Sequence, residues 1–104
     1  EEIPDSCIII SLKGYLRRMD ASVQNYSSAN ASDTDKHTEV LEYQKELSCL
    51  KAIEHRIELI SKTKIAPFVK DLSECLEDMV NNKSGENLQE KFKSAKDGIE
   101  KLLS

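Results

Sequence analysis

Apolar residues recur along this chain at the three- and four-residue steps of an α-helix, and no stretch shows the two-residue alternation of a strand. In the first segment, from about Cys7 to Tyr26, Ile8, Leu12, Tyr15, Met19, Val23 and Tyr26 follow at steps of four, three, four, four and three, which places them on one face. Asp5 and Ser6, after Pro4, are suitable N-caps. Gly14 weakens this helix by up to about 1 kcal/mol relative to Ala, which twenty residues tolerate. Ser27-Ser28-Ala29-Asn30-Ala31-Ser32 carries no large apolar residue and reads as a loop.

The second helix is predicted to be the longest, from Asp33 or Thr34 to Lys62. Asp33, Thr34 and Asp35 supply a cap and first-turn acids that suit the helix dipole. Its stripe is Val40, Tyr43, Leu47, Leu50, Ile53, Ile57 and Ile60, and Leu41, Ala52 and Leu59 broaden it enough to touch two neighbours. Pro67 disfavours helical geometry at Ala66 and suits the first turn of a new helix, so the break falls near Thr63 to Ala66. Phe68, Leu72, Cys75, Leu76 and Met79 give the third helix its face. Asn81-Asn82-Lys83-Ser84-Gly85 ends it, and Ser84 caps a fourth helix whose buried side is Leu88, Phe92, Ala95, Ile99 and Leu102.

Four amphipathic helices joined by short loops predict an all-α, compact antiparallel four-helix bundle, a single domain over residues 1–104. Helix two, at about 1.5 Å per residue, spans some 40 Å, so the bundle is irregular and its long helix overhangs or bends. Overhanging surface is a candidate for binding a partner or a second copy of the chain.

Composition narrows the function classes. The 104 residues are 33% charged, but 15 basic against 19 acidic side chains leave a net charge of only −4. That balance gives no general attraction to nucleic acid or anionic membranes, and Arg17-Arg18 is the only basic doublet. The longest apolar run, Cys7 to Ile10, is far short of the roughly 20 residues that cross a bilayer, so no membrane insertion is expected. The start at Glu1 is compatible with a cleaved signal peptide and equally with trimming.

Three cysteines and three sequons bear on compartment. Asn25-Tyr26-Ser27, Asn30-Ala31-Ser32 and Asn82-Lys83-Ser84 exceed the roughly one sequon that composition gives by chance, and all lie in or beside predicted loops. Counting heights along antiparallel helices puts Cys75 within roughly 6 Å axially of both Cys49 and Cys7. Cys49–Cys75 is the preferred bridge, with Cys7–Cys75 the alternative. Such a bridge adds about 3 kcal/mol in the chain-entropy picture. The competing reading is three reduced thiols in an intracellular protein. A bridge leaves one cysteine over, which would stay buried or pair with a partner or a second copy.

Catalytic chemistry finds no support in the sequence, and neither an enzyme nor a cofactor is expected. His55-x-x-Glu58 occurs once and on a polar face, whereas a bundle di-iron site needs Glu-x-x-His twice plus two further glutamates. His37 stands beside Asp33 and Asp35 in a helix first turn. There is no His-Glu-x-x-His, Cys-x-x-Cys, phosphate loop or Gly-x-Ser-x-Gly. The charges are patterned instead. Glu39, Glu42 and Glu46 form an acidic line on helix two and Asp71, Glu74 and Asp78 another on helix three, candidates for steering association with a basic partner surface.

Leu47-Ser48-Cys49-Leu50-Lys51-Ala52-Ile53-Glu54 and Leu72-Ser73-Glu74-Cys75-Leu76-Glu77, two cysteine-centred helices in a small acidic chain with sequons, resemble the small secreted salivary proteins of Anopheles mosquitoes. The resemblance implies a secreted protein without enzyme chemistry, and an inhibitor of host defence such as those that bind the C3 convertase of the alternative complement pathway. The partner would then be a host plasma protein complex. The alternatives are an intracellular adaptor or subunit that completes a partner's bundle, and a short-chain helical cytokine, whose two long crossover connections the short loops do not provide.

Overall fold

Helix α1 (Asp5–Tyr26) starts two residues before the expected Cys7, because the Pro4 carbonyl accepts from the Cys7 and Ile8 amides at 3.0 and 3.2 Å and serves as the cap itself. Helices α2 (Asp33–Ser61), α3 (Ala66–Val80) and α4 (Glu86–Leu102) follow. The structure is a computed structural model and describes residues 4–81 and 86–103. It is an all-α four-helix bundle, 86% helical, with no strand among those residues.

The helix ends follow local chemistry. The α2 cap is Ser32, one residue before the expected group. Its hydroxyl accepts from the Asp35 amide at 3.1 Å, and the Asp35 carboxylate accepts from the Ser32 amide at 3.1 Å, a reciprocal capping box. At the far end Lys62 takes left-handed geometry, φ 59°, a conformation that costs a side-chain-bearing residue about 1–2 kcal/mol. The chain turns back there, and the Ile65 amide donates to the Glu58 carboxylate at 2.9 Å, giving α3 a cap from the preceding helix. Pro67 sits in the first turn of α3, where its missing N–H costs nothing. The expected Ser84 cap of α4 lies outside the described residues.

Helices adjacent in the chain pack together and α4 closes the ring against α1. Arg56 near the end of α2 reaches Asp5 at the start of α1 (3.1 Å), and Lys91 early in α4 reaches Asp78 late in α3 (3.4 Å), as antiparallel neighbours require. One apolar cluster joins all four helices, through Leu12, Leu16, Met19 and Val23 of α1, Tyr43, Leu50 and Ile57 of α2, Leu72 and Cys75 of α3, and Phe92 and Ile99 of α4. Two expected stripes shift. Leu16, not Tyr15, holds the middle of α1, and Tyr15 is only half-buried. Leu41, Ala52 and Leu59, expected to widen the α2 stripe, face solvent, because α1 and α3 flank that helix on its Tyr43–Leu50–Ile57 side.

Two glycines mark close approaches. A Cβ at Gly98 would lie 2.4 Å from the Phe68 ring, so the absent side chain lets α3 and α4 meet there. Gly14 is buried beneath the Arg18 guanidinium, whose nitrogen would lie 3.3 Å from a Cβ at that position. The 29-residue α2, about 43 Å at helical rise, runs the whole 42 Å of the long axis. Helix α3, with 15 residues, is about half as long, and its end at Val80 lies beside Val40 and Leu41. The first turns of α2 therefore run past α3, the overhang that the helix lengths predict.

Candidate functional site

Two buried phenols are spent on joining helices. The Tyr43 hydroxyl donates to the Leu72 carbonyl at 2.6 Å and the Tyr26 hydroxyl to the Met79 carbonyl at 3.0 Å, so α1 and α2 each send a phenol into the backbone of α3. The Tyr43 ring meets Phe92 edge to face, with centroids 6.0 Å apart. Burial, reinforced by the nearby Cys75 thiol, pushes the Tyr43 phenol far above its ordinary range and keeps it a donor.

The first acidic line does not stand as one exposed row. Glu46 is 7% exposed and accepts from the Arg18 guanidinium at 2.7 Å, because its Cα lies beside Leu47 and Leu50 on the edge of α2 that faces α1. That hydrogen bond, with the charge of Glu46, raises the Arg18 pKa against the opposing effect of burial. Glu39 is half-buried and accepts from the Asn25 amide at 3.3 Å, which leaves Glu42 as the fully exposed member. Asp71, Glu74 and Asp78 are half-buried, and Glu74 and Asp78 act on Lys91 of α4. Burial lowers the Lys91 pKa, but Asp78, with Glu74 and Cys75, outweighs it and the ammonium is held above its ordinary range.

All three cysteines are free thiols, and neither the Cys49–Cys75 nor the Cys7–Cys75 bridge is formed. Matching axial height does not suffice, because the side chains point in different directions around their helices. Cys49, half-buried on α2, lies close enough to Arg18 of α1 to act on its charge, whereas Cys75 points into the core toward Tyr43 and Lys91. Burial pushes the Cys75 thiol up to about 11, against the opposing pull of Lys91. Cys7 is exposed near the start of α1.

The sequons divide by environment. Asn25 is in the last turn of α1, Asn30 is exposed in the α1–α2 loop, and Asn82 lies outside the described residues. His55 is exposed, and Glu58 is occupied as the α3 cap. No group of three or more His, Cys, Asp or Glu among the described residues is arranged to hold a metal ion. No described helix is long and apolar enough to cross a membrane.

A shallow groove of about 480 Å³ lies at the overhang, between α1, α2 and α3. Val40, Leu41, Met79 and Val80 give it an apolar side, with Leu41 51% and Val80 64% exposed, and Asp33, Lys36 and His37 give it a polar rim. The Lys36 ammonium also stands 5.5 Å from the centre of the Tyr26 ring at its base. Sequence periodicity assigned Leu41 to the core and missed this groove, whose only signal was the difference in length between α2 and α3. The chain matches no family model, and no curated protein or solved structure is similar to it.

Proposed function

We propose that this chain is a secreted, non-enzymatic helical binding protein that acts by occupying the surface of a protein partner. The observation that carries this reading is the use made of the interior polar groups. Tyr26, Tyr43, Glu46 and Glu58 each complete a hydrogen bond that holds one helix to another or closes a turn, so their chemistry is structural. Function is then a matter of outer surface, and the overhang of α2 supplies apolar area there, in Leu41 and Val80, beside charged residues. The resemblance to Anopheles salivary proteins gives the partner class, a host protease complex such as the C3 convertase of the alternative complement pathway. A haemolysis assay driven by that pathway should lose lysis when micromolar protein is added. Undiminished lysis would remove the complement reading.

The three free thiols favour a second reading, a helical subunit of a reducing compartment that completes a partner's bundle. Thiol titration of the denatured, unreduced protein from its native source separates the two. Three titrating thiols support the subunit, and one thiol beside a bridge supports the secreted binder.

A further inference from the structure

We propose that Asn30 is an acceptor of an N-linked glycan and that Asn25 is not, although both open Asn-x-Ser sequons. The inference rests on the secreted setting proposed above and concerns the α1–α2 corner alone. A sequon is used when its asparagine amide is free to take the sugar, with the hydroxyl two residues on displayed beside it on solvent-facing backbone. Asn30-Ala31-Ser32 lies wholly in the loop between α1 and α2. Asn30 and Ser32 are exposed, and among the described residues the Asn30 side chain makes no hydrogen bond, while its backbone amide donates to the Ser28 hydroxyl at 3.3 Å. Ser32 holds the α2 cap through an exposed hydrogen bond, which water can replace.

Asn25 is exposed on the same groove as Asn30, but the rest of its sequon, Tyr26 and Ser27, is tied to the helix end and the core. Asn25 belongs to the last turn of α1 and its amide nitrogen donates to Glu39 at 3.3 Å. Tyr26 is 1% exposed, with its hydroxyl on the Met79 carbonyl, and the Ser27 hydroxyl oxygen is buried without a partner among the described residues. Presenting this sequon means unwinding the end of α1 and drawing Tyr26 out of the core. A glycan attached before folding would displace Asn25 from Glu39 as α1 closes on α2, whereas one on Asn30 breaks no side-chain hydrogen bond among the described residues.

The donor would be a polyprenyl-diphosphate-linked oligosaccharide. A bond forms between the Asn30 amide nitrogen and C1 of the first sugar, the bond from C1 to the diphosphate oxygen breaks, and the amide proton leaves as the lipid diphosphate departs. The glycan would stand over the groove that Asn30 shares with Asp35, Thr38 and Glu39, and so cover the Glu39 side of α2.

The test is expression of the full chain behind a heterologous signal peptide in insect cells, with intact masses before and after N-glycosidase. This reads acceptor competence whether or not the native protein is secreted or binds complement. Asn30→Gln should lose the mass of one glycan, Asn25→Gln should lose nothing, and Ser32→Thr, which keeps both sequon and cap, should match the unsubstituted chain. An unchanged mass in Asn30→Gln, or a glycan lost in Asn25→Gln, would overturn the proposal.

Discussion

The Tyr43 hydroxyl and the Leu72 carbonyl oxygen, 29 residues apart in the chain, are 2.6 Å from one another at the centre of the bundle. The bond ties α2 to α3, while the same ring meets α4 through Phe92, so one side chain joins three helices. Tyr43→Phe keeps the ring contact and removes only the donor. It should cost about 0.5–1.5 kcal/mol in chemical denaturation, the net worth of one buried hydrogen bond. Tyr43→Ala removes the ring as well and should cost about 3–5 kcal/mol, as for a large buried aromatic. Equal losses in the two variants would show that the ring does not pack as described.

The Gly98–Phe68 contact reverses an ordinary expectation. Gly to Ala inside a helix normally stabilises by up to about 1 kcal/mol. Here the new methyl group would meet the Phe68 ring at 2.4 Å, and Gly98→Ala should instead destabilise by about 1–3 kcal/mol, the range for overpacking. Adding Phe68→Leu should restore part of the loss, which a double-mutant cycle reads directly.

Alkaline pH should weaken the fold through Cys75 and Tyr43. Burial raises the Cys75 thiol from its ordinary 9.0 to about 11, and the Tyr43 phenol is raised above its ordinary 10.0. Between the two thiol values the unfolded chain gives up its proton while the folded chain keeps it, so unfolding releases a proton and stability falls as pH rises. The contribution is intact below about pH 9 and is lost progressively toward pH 11. Melting temperatures followed over that window should fall more steeply in the unsubstituted chain than in Cys75→Ala. Identical slopes would contradict the buried thiol.

Charge reversal separates the two roles within the acidic line. Glu46→Lys would set a buried cation against Arg18 and should lower the melting temperature sharply. Glu42→Lys changes an exposed site and should leave the melting temperature unchanged. If this side of α2 steers association with a basic partner, Glu42→Lys should slow binding, and the difference should shrink as salt rises, because exposed charges are screened over about 8 Å at physiological ionic strength. A salt-independent association rate would place the partner elsewhere.

Helix number, order and most buried positions were legible from spacing alone, because Ile8, Leu12, Met19, Leu50, Leu72, Phe92 and Ile99 lie on the same helical faces in any packing that buries one side of each helix. What spacing does not hold is rotation about the helix axis. Leu16 in place of Tyr15, the solvent-facing Leu41 and Leu59, and the buried Glu46 all follow from where the neighbouring helix sits. The structure leaves Cys49 and Cys75 unbridged for the same reason, since axial height carries no information about which way a sulfur points. The Ser32–Asp35 capping box was readable as a motif, but the Glu58 cap on Ile65 depends on a turn through left-handed Lys62 that no local residue announces.

The proposal that function comes from an occupied surface, without turnover, is tested most directly by the dose and time dependence of inhibition in the alternative-pathway haemolysis assay. A surface-occupying protein should inhibit saturably with concentration, reach its full effect as soon as binding equilibrates, and gain nothing from longer preincubation with the convertase components. Inhibition that deepens steadily with preincubation at substoichiometric protein would contradict it.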